Sequence, residues 1–211
     1  MSSQRFRLRL TRSFTALRLT FLFIHPNPML RTQLAESIFT VDDFLTRQEC
    51  LHYLALSEQL GYEAAKVNTT KGARLMPAVR NNSRVFHRSE ELAQKLWERA
   101  RPFIPAEFGR SQALGLNELF RFYRYQAGQQ FRGHYDESYV RSPTEASLLT
   151  FMVYLNDNFQ GGDTAFRELR VWPQQGRLLV FEHGLYHLGR TVEQGVKYVL
   201  RTDVMFRLPA E

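Results

Sequence analysis

A chain of 211 residues is long enough for one domain with a sizeable core. Its hydrophobic content of 44%, with 17 Phe and 9 Tyr, argues against disorder over most of the length, and its single cysteine, Cys50, excludes internal disulfides and cysteine-rich zinc or iron–sulfur centres. The formal charge of +7 is no argument for a nucleic-acid partner, because five arginines and no acid fall in residues 1–28 and the remainder is nearly neutral.

Residues 1–28 combine Arg5, Arg7, Arg9, Arg12 and Arg18 with an apolar run from Leu17 to Ile24. Arg18 interrupts that run, no small-residue cleavage pattern follows, and the stretch is too short and too charged to span a bilayer. His25-Pro26-Asn27-Pro28 reads as a break. The expectation is a basic extension over 1–28, disordered or upstream of a start at Met29, with a lodging at a membrane surface as a rival reading. A single domain then covers 29–211, with helical support over 29–115 and a strand-rich core over 116–211. The lone cysteine suits a reducing cytoplasm.

Ile38-Phe39-Thr40-Val41 is a short strand candidate. Thr46, with Glu49 three residues on, is a capping box that opens a helix carrying Leu51, Leu54, Ala55 and Leu60 and ending near Gly61. Thr69 to Pro77 is turn-like, and Arg80 to Phe86 is polar and reads as strand or loop. Ser89, followed by Glu90 and Glu91, starts a second helix with Leu92, Ala93, Leu96, Trp97 and Ala100 at helical spacing. Pro102 and Pro105 close it. From there the pattern turns to strands: Leu119 to Tyr125, Leu148 to Leu155, Arg177 to Phe181 and Tyr198 to Phe206. Turn signals separate them at Ala127-Gly128, Ser142-Pro143, Gly161-Gly162-Asp163 and Pro173 to Gly176. Helices first and short strands later define an α+β domain with helices flanking a curled antiparallel sheet.

Chemistry concentrates at His134 and Asp136. If the extended backbone of Leu119 to Tyr125 continues into them, both side chains project from one face. A histidine from a distant strand completes a two-histidine, one-carboxylate face, the donor set that holds non-haem Fe(II) and leaves its other side open. His183 and His187 are the candidates. Lys197, Val199 and Arg201 share a strand face, and two cations there call for an anion; for Arg201, pairing with Asp203 or Glu182 is the alternative.

The run Arg124 to Asp136, then Tyr154-Leu155-Asn156-Asp157, Gly161-Gly162-Asp163-Thr164-Ala165-Phe166, and finally His187 with Lys197, resembles the 2-oxoglutarate- and Fe(II)-dependent dioxygenases of the prolyl 4-hydroxylase type. A lone H-x-D pair is weak evidence, but the ordered set is strong, and it covers roughly the C-terminal half. The resemblance implies a double-stranded β-helix, or jelly-roll, core. It implies Fe(II), 2-oxoglutarate and O2, with ascorbate as an optional reductant. His134, Asp136 and His187 would be the catalytic metal ligands, since the family's lysine falls ten residues after the distal histidine and Lys197 stands there relative to His187. His183 then becomes a pocket-lining residue. Lys197 would hold the far carboxylate, with Arg201 in reserve. Tyr125 and Tyr154 match tyrosines around the cosubstrate, with plain core packing as the alternative.

The implied reaction is hydroxylation of an unactivated C–H bond, in a protein or peptide residue of prolyl type, with release of succinate and CO2. Rival readings are a same-fold oxygenase acting on a small molecule or on alkylated nucleic acid, and a non-catalytic jelly-roll binding module. The complete set His134, Asp136, His187 and Lys197 counts against the module, and the near-neutral body counts against nucleic acid. Lys71 to Arg84 and Glu137 to Glu145 would cover the site. Their Arg80, Asn82, Arg84 and Arg141 read as solvated charge, or as a grip on a peptide backbone or acidic group.

Overall fold

The two helices form where their caps demand. Helix α1, Arg47–Leu60, is opened by Thr46, whose hydroxyl accepts from the Glu49 N–H at 3.2 Å while the Glu49 carboxylate accepts from the Thr46 N–H at 2.9 Å. It stops at Gly61, whose φ of 80° costs a residue without Cβ little. Helix α2, Glu90–Ala100, starts at Ser89, which accepts from the Leu92 N–H at 3.1 Å. The structure, a computed structural model, describes residues 28–67 and 72–209. The basic segment 1–27 and residues 68–71 of the expected turn and cover lie outside the described residues.

Two antiparallel layers build the core. The main sheet runs in the order Leu30–Ala35, Ile38–Asp42, Leu178–Glu182, Glu145–Tyr154, Val196–Arg207, Leu119–Gln126, Ser83–Arg88, Glu63–Ala64. Facing it is a short sheet in the order Arg170–Val171, Thr164–Ala165, His187–Gly189, Phe131–His134. Two facing antiparallel sheets with helices outside the larger one make the double-stranded β-helix expected from the sequence. Within 29–115, Ile38–Asp42 joins the main sheet as the strand expected there, and Ser83–Arg88, in the stretch that reads as strand or loop, joins it too. The polar pattern of Ser83–Arg88 hides that role, since it pairs with a buried neighbour through backbone rather than through an apolar face.

Period-two alternation in the central strands sorts the residues onto two faces. Phe120, Phe122, Phe151, Val153, Leu178, Val180, Leu200 and Val204 face the helices and form one core with Phe44, Cys50, Tyr53, Leu92 and Leu96. Tyr123, Tyr125, Tyr154, Leu179, Phe181 and Val199 face the short sheet. The second face also carries Thr150, Lys197, Arg201 and Asp203, so the polar groups that a core would not tolerate unpaired are gathered between the two sheets.

Candidate active site

The strand ending in Gln126 does not run on into His134. A turn at Ala127 and Gly128, with Gly128 at φ 82°, carries the chain from the main sheet to the short one, where it resumes as Phe131–His134. His134 thereby pairs in register with His187 on the adjacent strand, and the two rings lie 4.3 Å apart centre to centre. Asp136 follows two residues later, outside the strand, held by its N–H donating to the His183 carbonyl at 3.2 Å. Its Oδ1 is 3.7 Å from His134 Nε2 and its Oδ2 is 3.7 Å from His187 Nε2. One donor atom from each of the three lies within 4.8 Å of the others, a group able to hold a metal ion.

Both imidazoles are set for ligation. Nδ1 of His134 faces the Arg132 carbonyl at 2.8 Å, and Nδ1 of His187 faces the Leu185 carbonyl at 2.9 Å. A carbonyl only accepts, so each Nδ1 carries the proton and each Nε2 turns a lone pair toward Asp136. Burial, then the neighbouring His187, pushes His134 down to about 4, and burial likewise lowers His187. Neutral rings are the ligating form. Burial alone would raise the Asp136 carboxyl, but Arg201 at 3.0 Å and the Thr150 hydroxyl at 2.5 Å from Oδ2 hold it at about 2.

An inner cavity of about 40 Å³ runs from these donors between the sheets to Lys197, with Lys197, Val199 and Arg201 lining it from one strand. The Lys197 ammonium is buried and donates to the Gly162 carbonyl at 2.6 Å; among the described residues it has no ion pair. Burial pulls it down to about 7. A buried ammonium with spare donors, opposite a two-histidine, one-carboxylate set, fits a ligand with a carboxylate at one end and metal-chelating oxygens at the other. The Gly161-Gly162 pair makes this possible: Gly162 has φ 67°, and a Cβ there would come within 3.3 Å of Lys197 Cδ.

The remaining expected residues divide. Arg201 reaches Asp136 at 3.0 Å and Asp203 at 3.1 Å, so it braces the Asp136 carboxylate as well as lining the cavity. Tyr125 lines the cavity, whereas the Tyr154 hydroxyl is paired with Thr164 at 2.7 Å and only its ring faces Lys197, at 5.3 Å. His183 stays outside the group of donors, 3.6 Å from Asp203. Tyr123, Thr150 and Thr164 were missed in the sequence reading; Tyr123 lies two residues before Tyr125, and alternation alone places it on the same face. Arg80 and Asn82 are not solvated charge but buried, and Arg141 is paired with Glu118 at 2.7 Å.

Two facing sheets with a two-histidine, one-carboxylate set between them form a site of the kind able to hold a non-haem metal ion. Residues 120–202 match the model of the 2OG-Fe(II) oxygenase superfamily. The chain is similar to that superfamily over this segment, and its likeness is to the prolyl 4-hydroxylase branch. It is 30% identical over 135 residues to prolyl 4-hydroxylase 5 of Arabidopsis thaliana and 29% identical over 136 residues to probable prolyl 4-hydroxylase 8 of the same plant. Each match covers 61% of this chain and 44% of the plant protein, so the chain spans less than half the length of these relatives. The viral collagen prolyl hydroxylase of Paramecium Bursaria Chlorella virus-1, solved with 2OG, superposes with a TM-score of 0.61 at 21% identity over 82% of this chain and 98% of its own. A prolyl hydroxylase from Trichoplax adhaerens, solved with a hypoxia inducible factor peptide fragment, gives 0.60 at 16% identity over 80% of this chain and 83% of its own.

Proposed function

We propose that this chain is an Fe(II)- and 2-oxoglutarate-dependent dioxygenase that hydroxylates an unactivated C–H bond in a protein or peptide residue, of prolyl type, and releases succinate and CO2. The observation that carries the reading is the pairing of His134 with His187 across the short sheet, which aims both Nε2 atoms at one carboxylate beside a cavity ending in Lys197. The names of the similar proteins support a peptide as substrate.

When bound, Fe(II) with 2-oxoglutarate and dioxygen supplies the oxidising power that no side chain has. The residues do the rest. His134, Asp136 and His187 would hold three of the metal's positions and leave one side open. Lys197 would pair with the far carboxylate of 2-oxoglutarate, at a depth where the ion pair is poorly screened. Arg201 and Thr150 keep Asp136 ionised and oriented. Phe181, Val199 and Met152 make the cavity wall apolar and limit water at the reacting centre. A reducing compartment such as the cytoplasm, and ascorbate as an auxiliary reductant, belong to the same proposal. Among the described residues, no helix is long and apolar enough to cross a membrane.

The test is anaerobic addition of Fe(II) and then 2-oxoglutarate, followed by visible absorption. A weak charge-transfer band is expected in the full chain and is expected to vanish in His134→Ala. A band of equal strength in that variant, or none in the parent, overturns the assignment.

A further inference from the structure

Outside the inner cavity lies a second, wider cleft of about 390 Å³, which shares His134, Asp136, Tyr123, Phe131 and Arg201 with it. A substrate held there meets the metal side of the site. Its walls carry Lys66, Arg80, Arg84, Arg121 and Arg201 against two carboxylates, Asp136 and Glu137. Arg121 and Arg201 already have an acid, Asp203 at 2.9 and 3.1 Å. Arg80 and Arg84 have no ion pair among the described residues, and this surplus of positive charge sits beside the reacting centre.

Arg80 is the stronger observation of the two. It is only 6% exposed, yet its Nη2 has no hydrogen-bond partner; its Nε donates to Asn82 at 2.7 Å. The guanidinium is clamped between aromatic faces, 4.3 Å from the Phe131 ring and 4.5 Å from that of Tyr123. Backbone fixes it too, since Arg80 bridges to Phe131 and the Arg132 N–H donates to the Val79 carbonyl at 2.9 Å. Arg84 lies beside it with its Nε buried and unpartnered, and burial and then Arg80 both work against its charge. Keeping two like charges together and partly dehydrated is unfavourable unless an anion completes them.

Resting on the dioxygenase reading above, we propose that the cleft recognises a carboxylate, so that the substrate is an acidic peptide whose Asp or Glu side chain is taken by Arg80 and Arg84 while a neighbouring residue is presented to the metal centre. The Phe131 ring separates Arg80 from His134, on which it stacks at 3.5 Å. That spacing puts the acid about two residues from the attacked one, at roughly 3.4 Å per residue of extended chain. Tyr135 and Tyr186 stand at the mouth as an exposed aromatic pair, 5.4 Å apart, suited to flank an apolar ring in the same peptide.

The experiment measures binding, so it does not depend on turnover. Fluorescein-labelled, C-terminally amidated peptides with a central proline carry either Glu or its isostere Gln two residues away, and each is titrated into the full chain by anisotropy. A Gln peptide with a free C-terminus distinguishes a terminal carboxylate from a side chain, and single-stranded oligothymidylate distinguishes phosphate. The expected result is that the Glu peptide binds about tenfold or more tightly than the Gln peptide, and that this ratio falls toward one in Arg84→Gln and in Arg80→Gln. Arg84→Gln keeps the test decisive where Arg80→Gln fails to fold. Equal affinities, a preference that survives the substitutions, a preference confined to the free terminus, tighter binding of oligothymidylate, or no peptide binding each overturns the proposal. Loss of iron-dependent turnover with the Glu preference intact would instead count against the dioxygenase reading.

Discussion

Lys197 holds its proton against its surroundings, and this makes the site sensitive to pH. Burial lowers the ammonium to about 7, while a bound carboxylate raises it again. With 2-oxoglutarate docked there as proposed, the protonated form would bind it better. Affinity should be full below pH 7 and should fall as pH rises through that value, by up to about tenfold per unit. Calorimetric titration of 2-oxoglutarate from pH 6 to 9 checks this, and a flat profile would contradict it. Lys197→Ala should raise the 2-oxoglutarate requirement about tenfold or more while leaving the iron requirement nearly unchanged. If both requirements rise in parallel, the ammonium is not where the keto acid ends. At this scale the sequence is most readable for residues whose chemistry is scarce, such as His134, Asp136, His187 and Lys197. It is least readable for Arg80, because an arginine in a polar stretch has no mark that separates a clamped guanidinium from a solvated one.

At the scale of elements, the helices are tied to one another by an ion pair. Arg99 in α2 donates two hydrogen bonds to the Glu49 carboxylate in α1, both at 2.8 Å, and a third to the Phe44 carbonyl at 2.9 Å. Burial would raise Glu49, yet the hydrogen bonds from Arg99 and Thr46 hold it at about 2. A carboxyl depressed from 4.5 contributes stability above that pH and loses it as pH falls toward 2. Glu49→Gln should cost about 3 kcal/mol at neutral pH and should flatten the acid limb of the stability curve between pH 4.5 and 2, as read by urea denaturation. The caps that open these helices, a capping box at Thr46 and a serine N-cap at Ser89, are plain in the sequence because each is set by local spacing. The strand Ser83–Arg88 is not, because a partner more than thirty residues away decides it.

For the whole molecule, the main sheet draws strands from both halves of the chain. Ile38–Asp42 pairs with Leu178–Glu182, and Ser83–Arg88 pairs with Leu119–Gln126. A unit knitted in this way should unfold in one step. Trp97 in α2 and Trp172 beside the short sheet report on opposite layers, so Trp97→Phe and Trp172→Phe variants should give coincident thermal transitions; separate midpoints would divide 29–211 into two units. Phe151, fully buried and edge-on to Phe44 at 5.5 Å, ties the sheet to the helical layer, and Phe151→Ala should cost about 3–5 kcal/mol. The fold class follows from the order of apolar and polar stretches. The assignment of His134 to the opposite sheet from Tyr125 required knowing where the chain crosses over.

The in-register contact between His134 and His187 makes metal retention a check on assembly. A strand displaced by one residue turns every side chain to its other side, so Phe131–His134 zipped one position out of step would send its imidazole away from the partner ring. Such a misthreaded molecule would keep nearly all of its hydrogen bonds and would be hard to tell apart by spectroscopy of the backbone. The stoichiometry of iron per polypeptide therefore counts the correctly threaded fraction of a preparation, and reconstitution below unity would expose misaligned molecules that a melting curve overlooks.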